Sequence, residues 1–327
     1  MTAELRLGTR GSALALWQAN AVAARIAAHG GPACRIVVIK TTGDQLQEAP
    51  LSEAGGKRLF VKEIEDALQR DVIDLAVHSS KDMTAILPDG LVVGGVLPRE
   101  DPRDAVVLPL REPDAPLDVP PSSIEDLVAR LGETPSIGTG SVRRIAQLAR
   151  LFPGARFEPI RGNLDTRLRK LGVGQYDALV VAAAGLRRLG FADRIAMALP
   201  ASACLPAPGQ GIVAIEVRAR DRAVREVVSA ISDRAAAAAL DAERALVEAL
   251  GGGCQTPVGA LATWVVEPTV SAHGELELTA SVVALDGSRA VRGGDRGAGN
   301  AAVALGQRVA ARLLEEGAGE LLAEARQ

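Results

Sequence analysis

The first candidate for chemistry is a cysteine in a glycine-rich loop. Residues 250–259 read Leu-Gly-Gly-Gly-Cys-Gln-Thr-Pro-Val-Gly, so Cys254 lies on a segment with few side chains. Gly251 is expected to end a preceding helix, because glycine adopts the left-handed cap conformation without strain. The two further glycines exceed the needs of a cap and would leave the thiol open to a large group. On these residues alone, a small semi-buried cysteine after a glycine cap is the simpler interpretation.

The second candidate is a carboxylate at the end of a predicted strand. Residues 74–77 are predicted to form a buried strand that stops at the polar segment from His78 to Asp82. In open α/β sheets, ligands bind at the loops that leave the carboxyl ends of parallel strands. In isolation, a solvated turn explains this segment equally well.

Arginines recur in the loops that follow successive predicted strands of the middle region, and each one alone is expected to be a solvated or salt-bridged surface residue. Neighbouring strand ends converge in space, so several guanidinium groups there would bind carboxylates or phosphates bidentately. The recurring residues are Arg143, Arg144, Arg161, Arg167, Arg187, Arg188 and Arg194.

A nucleotide site is the rival interpretation of the Gly138 to Arg144 segment. Backbone amides at the start of the predicted helix at 145–152 would suit an anion. Arg143, however, stands where the dinucleotide fingerprint has its third glycine, and no Walker lysine follows. The sequence therefore favours a different anion.

Composition narrows the classes of function. The 327 residues carry a formal net charge of -3 and only 2% aromatic residues, which argues against nucleic acid as a partner. Three scattered cysteines and three scattered histidines predict neither a disulfide framework nor a metal site. We find no apolar signal core and no run long enough to span a bilayer, so the expectation is a cytoplasmic protein with no membrane partner.

The elements around these residues predict three domains. Strands and helices alternate from Leu5, with a run at 34–41 of the type buried on both faces of a parallel sheet. A second alternation begins at Ser136, and a strand at 212–217 returns towards the first domain. From Arg234 the order changes to a helix, strands and further helices. The predicted domains are α/β for 1–98 with 211–230, α/β for 103–205, and a smaller α+β domain for 234–327.

At this point the sequence resembles the porphobilinogen deaminase (hydroxymethylbilane synthase) family, from Leu5 nearly to the C-terminus. The matching segments are TRGSALALWQA from Thr9, GGKRLFVKE from Gly55, AVHSSKD from Ala76, REDPRDA from Arg99, GSVRR from Gly140, IRGNLDTRLRKL from Ile160, AAAGLRRLG from Ala182, PAPGQG from Pro206 and GGGCQTPVG from Gly251.

The resemblance implies that the first two domains are similar to periplasmic binding proteins. It also implies a dipyrromethane cofactor joined to Cys254 by a thioether. Four porphobilinogen molecules would be added to this primer, each losing ammonia, before water releases the linear tetrapyrrole hydroxymethylbilane. The implied enzyme is a transferase of haem and porphyrin biosynthesis, and we expect a monomer.

Roles carry over to positions that match the family pattern. Asp82 matches the catalytic aspartate. Positions implied to bind the cofactor, besides Cys254, are Lys81, Thr139, Ser141, Arg143, Arg144, Arg167, Arg188 and Gln210. Positions implied to bind substrate are Arg10, Ser12, Lys57, Arg161 and Arg218.

Two departures and two rival classes stay open. Glu53 stands where some relatives have lysine, and Thr84 stands where proline is common. A two-lobed small-anion-binding protein without catalysis would share the lobes and arginines but would not need Cys254. A regulatory effector-binding protein is less favoured, because no DNA-reading helix pair is evident.

Overall fold

The structure is a computed structural model and describes residues 4–45, 61–110, 120–251, 256–268 and 273–326. The strands of these ranges are β1 (Leu5–Thr9), β2 (Cys34–Val38), β3 (Leu75–Ser79), β4 (Leu91–Val96), β5 (Asp104–Val107), β6 (Ser136–Gly138), β7 (Arg156–Glu158), β8 (Ala178–Ala182), β9 (Met197–Ala198), β10 (Val213–Arg218), β11 (Val258–Val266), β12 (Glu275–Val283) and β13 (Ala290–Ala298).

The helices connect and cover these strands. They are α1 (Ala13–Ala28), α2 (Thr42–Gln45), α3 (Lys62–Gln69), α4 (Ile124–Leu131), α5 (Val142–Leu148), α6 (Leu164–Gly172), α7 (Ala183–Arg188), α8 (Arg222–Ala230), α9 (Arg234–Ala249), α10 (Ala302–Glu315) and α11 (Ala318–Glu324). Within the described ranges, no helix has both the length and the apolar character needed to cross a bilayer.

The first two sheets share one topology. In the first, the order is β2-β1-β3-β10-β4, with β1 parallel to β2 and β3, and β10 antiparallel to β3 and β4. In the second, the order is β7-β6-β8-β5-β9, with β6 parallel to β7 and β8, and β5 antiparallel to β8 and β9. The third sheet is the antiparallel meander β11-β12-β13. The predicted α/β class with a smaller C-terminal α+β unit is confirmed.

Helices bury apolar faces against each sheet. On the first sheet, Val22 and Ile26 of α1 pack with Leu7 and Leu75. On the third sheet, α9 and α10 cover the meander and cross so closely that a Cβ on Gly306 would lie 2.3 Å from the Ala242 carbonyl oxygen. A side chain at position 306 would therefore force the two helices apart.

Polar residues at the starts of six described helices act as N-caps, because their oxygen atoms accept backbone N–H groups of the first turn. These caps are Ser12, Ser123, Ser141, Asn163, Asp221 and Asp233. The helix predicted at 13–28 is confirmed as α1.

One expectation about the first sheet needs correction. The run at 34–41 was expected to be buried on both faces, but β2 is an edge strand, and Val38 is 53% exposed. The chain continues from β2 into the short helix α2 at Thr42–Gln45. Apolar content alone does not distinguish an edge strand from a central one, because position in the sheet is set by long-range pairing.

Candidate active site

The polar segment after β3 forms a fixed 3₁₀ turn over Ser80–Asp82. The Ser80 amide donates to the Ile212 carbonyl at 3.0 Å, and Gln18 of α1 donates to the Ser79 hydroxyl at 2.8 Å. Met83, which follows the turn, is buried in a core with residues of α9. The turn therefore presents Asp82 from a rigid strand end.

A buried carboxylate, Asp104, is the hub beside this turn. Arg143 donates from Nη1 to Oδ2 at 2.7 Å, Arg144 donates from Nε to Oδ1 at 2.9 Å, and Gln210 donates from Nε2 to Oδ1 at 2.9 Å. Burial alone would raise the pKa of Asp104, but the charges of Arg143 and Arg144 hold it far below its ordinary value. Asp104 is thus an ionised anchor.

The sequence prediction missed Asp104 as a site residue. It lies at the start of β5, and because β5 is antiparallel to β8, Asp104 pairs with Ala182 at the carboxyl end of β8. The only signal in the sequence was an acidic residue directly before an apolar run in the matched segment from Arg99.

Arg143 and Arg144 are more deeply buried than free binding groups would be. They are 3% and 6% exposed, and beyond Asp104 they donate to the Leu205 and Val180 carbonyls. Most hydrogen-bond donors of both guanidinium groups are therefore used in contacts within the protein. The predicted role in binding a cofactor is left to the remaining donors, such as Arg143 Nε.

Lys81 joins the hub through Gln210. Its Nζ donates to Gln210 Oε1 at 3.3 Å, an oxygen that also accepts from Arg144. Burial, followed by the positive charge of Arg144, lowers the pKa of Lys81 to about 8, against the opposing effect of Asp82.

A cavity opens where all three sheets meet. Ser80 and Lys81 line it from the first sheet, Ser141 and Arg143 from the second, and Thr256 from the third. Ser80 Oγ and Arg143 Nε are buried and find no hydrogen-bond partner among the residues that the structure describes. Because buried donors are normally satisfied, this cavity fits a ligand with carboxylate oxygens.

Two further arginines, Arg161 and Arg167, lie at the start of α6 and add positive charge near Arg144. Arg167 Nε donates to the Gly162 carbonyl at 2.9 Å. Burial and the nearby charges of Arg144 and Arg161 lower the pKa of Arg167 to about 10, while Asp82 acts in the opposite direction. Arg167 therefore lies close to both the catalytic candidate and the hub.

Hydroxyls at two helix starts were also predicted to bind ligands. The Ser12 hydroxyl accepts from the Ala15 amide at 3.3 Å, and the Ser141 hydroxyl accepts from the Arg144 amide at 3.4 Å. Thr139 Oγ1 in turn accepts from the Ser141 amide. These oxygens cap helices whose N-terminal ends favour anions.

Arg10 precedes α1 in the chain, and Arg188 contacts the first half of this helix. Arg10 makes a side-on ion pair with Asp44. Arg188 stacks over Trp17, 5.5 Å from the ring centroid, and donates to the Gly211 carbonyl at 2.7 Å. It lines a groove along α1, apart from the cavity that contains Lys81 and Arg143.

The structure places Arg218 apart from the other residues that were predicted to bind substrate. It donates to the Leu68 and Ile73 carbonyls and pairs with Asp71, Asp74 and Asp221. Because β10 is antiparallel to β3, Arg218 lies beside the start of β3 rather than at the Asp82 end. The match to the family pattern, on which this prediction depended, carries no information about strand direction.

Cys254, Lys57 and Glu53 lie outside the described residues. On one side of Cys254, α9 ends at Ala249, and on the other Thr256 lines the cavity. Thr84 belongs to the connection after Asp82, where its hydroxyl donates to the Ile86 carbonyl at 2.5 Å.

Comparison with solved structures gives partial overlaps. An ancestral cationic amino acid solute-binding protein is 16% identical, with 69% of this chain and 86% of that chain covered and a TM-score of 0.38. Immunogenic lipoprotein A from Vibrio vulnificus is 11% identical, with 71% and 96% covered and a TM-score of 0.42.

Sequence comparison covers nearly the whole chain. The family model "Porphobilinogen deaminase, dipyromethane cofactor binding domain" matches residues 5–226, and "Porphobilinogen deaminase, C-terminal domain" matches residues 237–315. The porphobilinogen deaminase of Acidithiobacillus ferrooxidans is 44% identical over 100% of this chain and 99% of the relative. That of Syntrophobacter fumaroxidans is 42% identical over 98% and 97%. The resemblance expected from the motifs is thereby confirmed, and the chain belongs to the porphobilinogen deaminase family.

Proposed function

We propose that this protein joins four porphobilinogen molecules, with loss of ammonia, into hydroxymethylbilane, as a hydroxymethylbilane synthase of tetrapyrrole biosynthesis. The observation that carries the proposal is the cavity at which the Asp82 turn, the Asp104 hub and the flank of Cys254 meet. Every pyrrole unit brings an acetate and a propionate, and the buried donors of this cavity suit such carboxylates.

The primer proposed here is a dipyrromethane joined to Cys254 by a thioether. When bound, it supplies the pyrrole carbon to which the first unit is added. Lys81, Ser141 and Arg143 line the cavity and would hold its carboxylates, while Gln210 and Arg144 keep Lys81 and Asp104 in place. Thr139 and Arg188 are further proposed cofactor-binding residues. Thr139 accepts a hydrogen bond from the Ser141 amide, and Arg188 lines the groove along α1.

Asp82 is proposed to act on the substrate. As ammonia leaves porphobilinogen, positive charge develops on the methylene-pyrrole, and a nearby carboxylate stabilises it and helps to move protons. Arg161 and Arg167 would receive substrate carboxylates beside Asp82, with Arg10 and Ser12 at the end of β1 and Lys57 as a further candidate. Each charge-assisted hydrogen bond contributes about 1.5 to 3 kcal/mol.

The proposed function is tested by intact mass and by assay. The purified protein should exceed its sequence mass by two pyrrole units and should consume porphobilinogen with release of ammonia. A small-anion-binding protein without catalysis would show the bare mass and no ammonia, and that result would refute the proposal.

Arg143 and Arg167 should separate structural from binding roles. We expect Arg143→Leu to destabilise the protein by about 3 kcal/mol or more, because it breaks a buried ion pair, and to impair the early additions. Arg167→Leu removes a charge already disfavoured by burial and by Arg144, so stability should change little while partly elongated enzyme accumulates.

Urea denaturation and mass spectra during turnover would measure both effects. Arg169→Leu, an exposed change in the same helix as Arg167, is the matched control and should leave the distribution of intermediates unchanged. Wild-type intermediates in the Arg167→Leu protein would contradict the binding role.

The pKa of Lys81, lowered to about 8, predicts an alkaline limit to activity. Above that pH the amine loses its proton and no longer attracts carboxylates, so kcat/KM should fall as pH rises; bound carboxylates would move the limit upward. Lys81→Arg keeps its charge throughout this range and should shift the fall to higher pH. Lys62→Arg, an exposed change on α3, should not shift it. An identical pH profile for wild type and Lys81→Arg would exclude Lys81 as the titrating group.

The domain limits of 1–98 with 211–230, 103–205 and 234–327 are part of this proposal, as are a monomeric state and a cytoplasmic location. The odd number of separated cysteines supports a reducing compartment.

A further inference from the structure

Arg10 is held from one side by a carboxylate of the short helix α2. Its Nε lies 3.1 Å from Asp44 Oδ1 and 3.3 Å from Oδ2, and its Nη2 lies 2.5 Å from Oδ1. Arg10 follows β1 and Asp44 follows β2, which are parallel neighbours. The two side chains are 24% and 25% exposed, so the pair sits at the rim of the sheet edge.

Asp44 is itself fixed. The Thr41 hydroxyl donates to Asp44 Oδ2 at 2.9 Å and the Thr41 amide donates to the same oxygen at 3.3 Å. Thr41 is fully buried. Burial would raise the pKa of Asp44, but Arg10 and Thr41 together lower it, so the carboxylate stays ionised at neutral pH. An immobile, charged acceptor of this kind fixes the plane of the guanidinium.

We propose that Asp44 is a positioning residue for substrate binding, which orients Arg10 towards a carboxylate of porphobilinogen. This inference rests on the proposed function. Asp44 contacts both Nε and Nη2, and two contacts to a planar guanidinium fix the direction of its whole plane. A substrate carboxylate therefore approaches a guanidinium whose direction is already set.

Two effects of Asp44 oppose each other. Its charge repels the anionic substrate, so removing the charge would lower KM if repulsion dominated. Its hydrogen bonds orient Arg10, so removing them would raise KM. We expect orientation to dominate, because water and salt screen the longer-range repulsion at this partly exposed site, whereas the contact geometry is lost completely.

The same sheet provides a matched control. At the other end of β1, Arg6 makes a comparable side-on pair with Asp74, with Nε to Oδ2 at 3.0 Å and Nη2 to Oδ1 at 2.7 Å. This pair lies with Arg218, away from the Asp82 turn. Asp74→Asn should therefore lower the melting temperature without changing KM.

The test is a double-mutant cycle on the holoenzyme with porphobilinogen as substrate. Asp44→Asn should raise KM at least fivefold and change kcat less than twofold. In an Arg10→Lys background, where no side-on fork exists, the same change should alter KM less than twofold. If Asp44→Asn does not fold, Asp44→Glu, which displaces the carboxylate by one methylene, should still raise KM.

Several results would overturn the inference. They are an unchanged or lower KM in folded Asp44→Asn protein, an equal rise in both backgrounds, or an Arg10→Lys protein with wild-type KM. A wild-type protein without adduct or turnover would instead refute the proposed function, so the two failures are distinguishable.

Discussion

Cys254→Ser protein is expected to have the bare polypeptide mass and no turnover. The thioether needs a sulfur that a large group can reach beside the Asp82 turn, and the described cysteines do not meet this need. Cys204 is fully buried, and burial, followed by the charge of Asp104, raises its pKa to about 12. Cys34 is half-buried at the start of β2, at the end of the sheet opposite to the Asp82 turn, and burial raises the pKa of its thiol.

The measurement is intact mass of the purified variant, followed by an assay for ammonia release. Cys34→Ser is the matched control, and it should keep both the adduct and the activity. An adduct that persists in the Cys254→Ser protein, or turnover without one, would show that the anchor lies elsewhere.

Asp82→Asn should reduce catalysis by orders of magnitude while the cofactor is retained. The substitution keeps the size and the polar character of the side chain but removes the negative charge that is proposed to stabilise the developing cation. The 3₁₀ turn fixes this charge beside Lys81 and close to Arg167, so the loss should fall on the chemical step rather than on folding. Single-turnover rates in protein whose mass confirms the adduct would measure it.

Asp89→Asn is the control for the charge change, since Asp89 is exposed in the connection that follows the same turn. Near wild-type condensation by adduct-bearing Asp82→Asn protein would reduce Asp82 to a positioning residue. The charge-stabilising group would then have to be another carboxylate near the cavity.

The sequence predicted local features well because they depend on local rules. Ser12 and the alanine-rich run after it predict α1 to the residue, since an N-cap and helix propensity act within one segment. The turn at Asp82 follows in the same way from an apolar run that stops at polar residues.

The effect of strand direction on the site could not be read from the sequence. The match to the family pattern implied that Arg218 binds substrate, whereas β10 is antiparallel to β3 and places Arg218 at the opposite end of the sheet from Asp82. Asp104 was missed for the complementary reason, since an antiparallel strand brings its first residue to the active edge. The Arg10–Asp44 pair joins residues 34 positions apart, and no local pattern specifies such a pair.

Two segments of the chain connect the two larger lobes, one between β4 and β5 and the other between β9 and β10. The two segments run side by side. The Glu100 amide donates to the Gly211 carbonyl at 3.0 Å, and Gln210 donates to the Pro102 carbonyl at 2.7 Å. Two connecting segments that are hydrogen-bonded to each other resist twisting and sliding of one lobe against the other. They allow a hinge rotation of the lobes about the line along which the segments lie. A lengthening tetrapyrrole would therefore gain room by rotation about this joint or by rearrangement of side chains and loops inside the cleft.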